Sequence, residues 1–160
     1  MTNYIEEIKG ILTTARLNAY TAVNAAMVEA YWLIGKRIVE QEQHGEERAV
    51  YGEGILKELS KALTTEFGKG FSYANLRNFR QFYLTYRDNE ICYTLCSKLT
   101  WSHNRLIMRV ESEGARAYYL KEAAEQGWSV RTLERILIPF IITGYYRLLI
   151  GMEIKKAVMS

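Results

Sequence analysis

Two short segments of this chain have almost the same pattern, and that pattern is the strongest constraint on its fold. Residues 70–77 read GFSYANLR and residues 127–134 read GWSVRTLE. In each, the glycine can end one helix in the left-handed conformation, the aromatic residue can enter the core, and the serine can cap the next helix. Helix, turn and second helix is the order of a helix-turn-helix, whose second helix often enters the DNA major groove. The repeat therefore makes nucleic-acid binding the leading hypothesis.

The composition suits a helical protein with a sizeable core. Of 160 residues, 49% are apolar, 24% are charged and one is a proline. This length fits one domain or two small helical lobes that share a core. The two cysteines are too few for a secreted disulfide framework and lack further metal ligands nearby. Glu6 and Glu7 interrupt any signal peptide at the start. We expect a cytoplasmic protein without cofactor or metal.

Apolar spacing predicts an all-α fold of about six helices, with one or two helix-turn-helix (winged-helix-like) units. The first helix, over residues 3–43, is long, and we interpret it as a scaffold or dimerisation helix. Asn3 and Glu6 predict a capping box at its start. Residues 91–98 fit either a short strand or an irregular link. The other helices are predicted at residues 52–67, 72–86, 99–110, 112–126 and from Ser129 onward.

The third and sixth predicted helices carry most of the candidate DNA contacts. The outer side of the third helix is rich in arginine, asparagine and glutamine, which bond guanine and adenine edges in pairs, and the sixth helix presents Arg131 and Arg135. Net charge is +4 over residues 71–110 and +3 over residues 129–160, and both segments begin near a capping serine. One histidine near the start of the fourth helix fits either a phosphate contact or a structural role. The candidate nucleic-acid contacts are Ser72, Tyr73, Asn75, Arg77, Asn78, Arg80, Gln81, His103, Arg105, Arg131 and Arg135.

Several blocks of the sequence resemble the N-terminal domain of YhcG-type proteins. They are LTWSHNRL at residues 99–106, RAYY at 116–119, GWSVRTLER at 127–135 and GFSYANL at 70–76. The resemblance extends over roughly residues 10–137. Members of that family join this helical domain to a C-terminal PD-(D/E)XK nuclease domain. The resemblance therefore implies a DNA-binding or targeting module of a nuclease, connected with restriction or phage defence.

The last part of the chain departs from the family pattern. Metal-dependent cleavage needs clustered carboxylates and a lysine around Mg²⁺, and no such set is readable here. We therefore expect the nuclease half to be missing and the chain to be non-catalytic. We divide the chain into a YhcG-type helical domain at 1–137 and a divergent apolar tail at 138–160, beginning just past the last predicted helix.

Two origins of the apolar tail are open. One is a frameshift near residue 137 that truncated a longer nuclease. The other is a natural short paralogue whose tail packs on the domain or on a partner. A membrane anchor is disfavoured, because Thr143, Gly144 and Arg147 interrupt the apolar run and it falls short of ~20 residues.

Two functions are also open. The first is DNA targeting. The second is a protein-interaction module, in which the long N-terminal helix forms homo-oligomers or holds a partner nuclease or methyltransferase subunit. Both turns would then be purely architectural, since fold alone does not settle function. Salt separates the two, because phosphate binding weakens steeply with ionic strength whereas an apolar helix interface barely changes.

Overall fold

Helices account for nearly all of the structure, a computed structural model that describes residues 2–44, 49–88 and 90–142. The all-α prediction with a long first helix is confirmed, and these residues form seven helices and no strand. None of these helices is long and apolar enough to cross a membrane. The helices are α1 (Thr2–His44), α2 (Ala49–Phe67), α3 (Tyr73–Tyr86), α4 (Glu90–Ser97), α5 (Trp101–Met108), α6 (Glu113–Gln126) and α7 (Val130–Ile142).

The packing of α1 on α3 is the most extensive helix contact, and Gly35 of α1 makes it possible. A Cβ atom at Gly35 would overlap the carbonyl oxygen of Phe79 and lie 2.8 Å from its carbonyl carbon. The same Cβ would lie 3.0 Å from the Cβ of Tyr83. The two backbones therefore approach more closely here than any residue with a side chain allows.

Four aromatic rings meet beside this close approach, and we call them the aromatic junction: Tyr31, Phe79, Phe82 and Trp101. Tyr31 stacks on Phe79 with ring centroids 4.3 Å apart and planes 7° from parallel. The ring of Trp101 lies 5.1 Å from that of Tyr31 and 5.2 Å from those of Phe79 and Phe82. Tilted and offset arrangements of this kind are the favourable geometries for aromatic pairs.

The aromatic junction joins two buried clusters. The smaller cluster contains Ile38 of α1, Leu56 of α2, and Leu76 and Phe79 of α3. Tyr31 and Trp101 pack against both clusters. The larger cluster holds α4 to α7 together and contains Val28, Phe82, Tyr86, Cys96, Leu99, Ile107, Ala115, Tyr119, Leu120, Ala123, Leu133 and Leu137.

Only the second half of α1 takes part in this core. Val28 is its first buried residue, and every side chain from residue 3 to residue 23 is exposed. Large apolar side chains lie in that exposed segment, including Ile11 at 67% and Leu17 at 60% exposure. The helix therefore extends well beyond the domain that it helps to build.

Several local predictions are wrong. Residues 90–97 form helix α4, because Cys92 and Cys96, like Ile91 and Leu95, repeat at the helical spacing of four. Asn3 lies inside α1, which begins at Thr2, and Glu6 pairs instead with Lys9 at 3.3 Å.

The last helix also runs further than predicted. α7 continues through Pro139 to Ile142, although a proline inside a helix removes one backbone donor and crowds the carbonyl four residues before it. The predicted boundary at residue 137 thus falls within a helix. The frameshift hypothesis concerns mainly residues 143–160, which lie outside the described residues.

Gly35→Ala should lower the free energy of unfolding by about 1–3 kcal/mol, because the added methyl group forces α1 away from α3. Gly10→Ala is the matched control, since a Cβ at this exposed site of the same helix meets nothing within 4 Å. That change should raise the free energy of unfolding by up to about 1 kcal/mol through helix propensity. Urea unfolding followed by circular dichroism measures the free energy of unfolding of each variant. Changes of the same sign in the two variants would contradict the close approach of α1 and α3.

Candidate nucleic-acid interface

The turn between α2 and α3 has the predicted serine cap. Ser72 is the N-cap of α3, and its hydroxyl accepts the backbone N–H of Asn75 at 3.2 Å. Both Gly68 and Gly70 have positive φ angles, of 82° and 108°. α2 ends at Phe67, as predicted, and the N–H of Gly68 donates to the carbonyl of Thr64.

The turn between α6 and α7 follows the prediction more closely. Gly127 ends α6 in the left-handed conformation at φ 63°, and its N–H donates to the carbonyl of Ala123. The N–H of Trp128 donates to the same carbonyl at 3.1 Å. The hydroxyl of Ser129 accepts the N–H of Thr132 at 3.1 Å and so caps α7. Both turns of the repeated motif therefore have helix-ending glycines and a capping serine.

The second turn belongs to a three-helix unit made of α5, α6 and α7. α5 packs against both of the other helices. Ala123, before the turn, and Leu133, after it, are fully buried. Ile136 is partly buried and packs against the cluster that contains them. This is the arrangement that a compact helix-turn-helix requires, with a small residue, a turn glycine and core contacts in order.

On the outer side of α3, the arginine at position 77 is the most available candidate. Arg77 is exposed, no carboxylate of the described residues pairs with it, and its guanidinium carbon lies 5.9 Å from the centroid of the Tyr73 ring. Tyr73 itself packs against the smaller cluster and so holds this guanidinium in one region of the surface. Asn78 is half-buried, and Gln81 is exposed with its amide donating to Thr85 at 3.1 Å.

Arg80, by contrast, is engaged within the protein. Its Nε lies 2.8 Å from a carboxylate oxygen of Glu42, and both oxygens of Glu42 accept from it. The pair connects α3 to the end of α1, and Glu42 is 18% exposed. The positive charge that the sequence assigned to DNA is therefore largely neutralised inside the fold.

Three other candidates also have structural partners. The Ser72 hydroxyl is used by the cap, and the Asn75 amide donates to the carbonyl of Gly70 at 3.0 Å. His103 is only 7% exposed. One ring nitrogen lies 2.7 Å from the hydroxyl of Thr100, and the other lies 2.7 Å from the carbonyl of Trp128. Both ring nitrogens therefore have partners inside the protein, which supports the structural alternative for His103.

The remaining arginines lie in the second unit. Arg131 and Arg135 are exposed on α7, and Arg105 is half-buried on α5. None of the three forms an ion pair with the described residues. Arg77 on α3 and Arg131 and Arg135 on α7 are therefore the arginines of these two helices that are exposed and that no carboxylate of the described residues pairs with.

Two polar residues, Asn104 and Arg116, bond backbone carbonyls around α5 and α6, and the sequence did not single them out. Asn104 is fully buried, and its amide donates to the carbonyls of Cys96 and Thr100 at 3.0 Å each. Arg116 donates to the carbonyl of Val110 at 2.7 Å and to that of Glu111 at 2.9 Å. A polar residue between the apolar positions of α5 was the available signal for Asn104. Within the described residues, no group of histidine, cysteine, aspartate or glutamate side chains could hold a metal ion.

His103→Ala should lower the free energy of unfolding by about 1–3 kcal/mol, because the Trp128 carbonyl and the Thr100 cap lose the partner that the buried imidazole provides. Ser102→Ala, at the exposed neighbouring position, should leave stability within about 0.5 kcal/mol of the wild type. Thermal and urea unfolding compare the two variants. Equal stability of His103→Ala and the wild type would remove the structural role.

The comparisons with known proteins identify the family of this chain. The chain matches the DUF1016 N-terminal domain over residues 7–139. A curated relative from Escherichia coli (strain K12), named "Putative nuclease YhcG", is 37% identical over 154 aligned residues. The alignment covers 78% of this chain but 41% of that relative, so the chain spans well under half of its length. No solved structure matches. With most of its length matched, the chain belongs to the DUF1016 N-terminal domain family and is a homologue of YhcG.

Proposed function

We propose that this domain binds DNA and serves as the targeting part of a YhcG-like nuclease. The observation that carries the proposal is the set of free arginines on two helices that begin at serine-capped turns, with Arg77 on α3 and Arg131 and Arg135 on α7. Helices that follow such turns commonly present their first residues to the major groove. Arginine also matches phosphate oxygens and guanine edges with two parallel hydrogen bonds.

Candidates whose side chains already have partners inside the protein are excluded from the proposed DNA contacts. Ser72, Asn75, Arg80 and His103 build the turns and the helix packing, so we assign them no DNA contact. The proposed contacts are Arg77, with Asn78 and Gln81 beside it, and the two arginines of α7. Arg105 is a secondary candidate because it is half-buried. Tyr73 orients Arg77 rather than stacking on a base.

We assign no catalysis to this domain. Phosphodiester cleavage by a metal-dependent nuclease requires a cluster of carboxylates, which is not found in the described part of the chain. In this proposal, cleavage belongs to the region of the relatives that the aligned part of this chain does not cover. A role in restriction or phage defence would follow from such targeting.

The double variant Arg77→Ala/Arg131→Ala should weaken binding to duplex DNA by about 10-fold or more. It should also reduce the slope of log affinity against log salt by about two, because two phosphate contacts disappear. Fluorescence anisotropy of labelled duplex and single-stranded DNA, titrated from low to physiological salt, measures both quantities.

Arg16→Ala/Arg37→Ala is the matched control for this experiment. It removes the same charge from exposed positions of α1, and the exposed pair of Arg37 with Glu40 contributes little to stability. Affinity should stay near that of the wild type. If both double variants lose the same affinity for DNA, the loss reflects net charge and not specific contacts, which contradicts the proposed contact set. If the wild type does not bind DNA even at low salt, the protein-interaction function is favoured.

The interaction function is favoured by one observation of its own. The exposed first half of α1 carries large apolar side chains that nothing in the described structure covers. This surface is separate from both capped turns, so it is compatible with DNA binding by the rest of the domain.

A further inference from the structure

The exposed half of α1 carries a regular apolar stripe. Ile5, Ile8, Leu12, Ala15, Ala19, Ala22 and Ala26 are separated alternately by three and four residues, and all seven are exposed. This is the spacing of the a and d positions of a coiled coil. We call these seven residues the α1 seam.

The side chains of the α1 seam are large at its N-terminal end and small at its C-terminal end. Ile5, Ile8 and Leu12 are 44%, 50% and 54% exposed, and only alanines follow them along the stripe. From this asymmetry we propose that α1 pairs with α1 of a second copy of the chain in the antiparallel direction. The seam is then the interface of a homodimer.

The register of this pairing follows from the heptad positions. In an antiparallel coiled coil, an a position of one helix faces a d position of the other. The register that sets Leu12 against the partner's Ala15 also sets Ile8 against the partner's Ala19. Ile5 then meets the partner's Ala22. Every layer between residues 5 and 22 pairs one large residue with one alanine, which is the alternation that fills a helix interface evenly.

A parallel pair would pack less well. It would place isoleucine on isoleucine at one end and alanine on alanine at the other. Because the distance between helix axes depends on the side chains at the contact, the two helices would have to diverge along the seam. The antiparallel pair keeps one distance throughout.

The paired part of the seam is long and uncharged. The layers paired in this register run from residue 5 to residue 22, over about 27 Å at 1.5 Å per residue. Tyr4, Ile11 and Val23 are exposed at the margins of the seam and widen the apolar surface available to the partner helix. Charged residues are absent from the seam itself, so no ionised group is buried by the pairing.

Sedimentation velocity of the purified chain, without nucleic acid, tests the dimer. The wild type should be dimeric, and Ile8→Glu/Leu12→Glu should weaken self-association by at least about 100-fold, because unpaired carboxylates would be buried in the interface. Leu17→Glu/Tyr20→Glu is the matched control. Both residues are exposed on α1 but lie off the seam, so the dimer should persist.

Two results would overturn the dimer. One is a wild type that stays monomeric up to about 100 μM, because the dissociation constant would then be too high for a specific dimer. The other is equal dissociation of the seam variant and its control. Glutamate favours helix and the seam lies outside the core, so circular dichroism should show both variants folded.

Disulfide trapping tests the direction of pairing. A mixture of Ile5→Cys chains and Ala22→Cys chains should form the mixed disulfide between positions 5 and 22, identified by mass spectrometry. Ile5→Cys alone should not link to itself. A disulfide between two copies of position 5 would establish a parallel pair and overturn the proposed register. None of these results depends on DNA binding, so failure of either proposal is seen separately.

Discussion

Where Gly35 lies against the backbone of Phe79, α1 and α3 come close enough for Tyr31 to stack on the Phe79 ring. That stacked pair forms one side of the site that Trp101 enters. Since Trp101 is the first residue of α5, and α5 packs against α6 and α7, the position of the second helix-turn-helix follows from this contact. A glycine far from either turn thus sets how the two candidate DNA-contacting helices are placed.

Among the contacts of the predicted site residues, the sequence predicted the helix caps, which are local, and missed two partners that are distant along the chain. The caps at Ser72 and Ser129 involve partners within three residues, so their chemistry is readable from neighbouring positions. The partner of Arg80, in contrast, is 38 residues away. That of His103 is 25 residues away. Only the fold brings these groups together, which is why the sequence counted both residues as free for DNA.

The turns and the proposed contacts are thus made by different residues of the same short motifs. Ser72 and Asn75 form the start of α3 and Ser129 caps α7, whereas Arg77 and Arg131 are exposed on these two helices. Family membership extends over the whole unit that holds them, residues 7–139. A motif that reads as one DNA-binding signature therefore separates into a structural part and a part available to a ligand.

The continuity of α1 has a consequence for its own stability. In helix–coil terms, starting a helix is the unfavourable step and extending it is easy. The buried segment from Val28 onward is fixed by packing and serves as the nucleus, from which the exposed segment only propagates. In a single copy, amide hydrogen exchange should then quicken steadily from Val28 towards Thr2. Pairing with a second copy would make the exchange rate more uniform along α1. The same segment would therefore fray in a monomer and stay helical in a dimer.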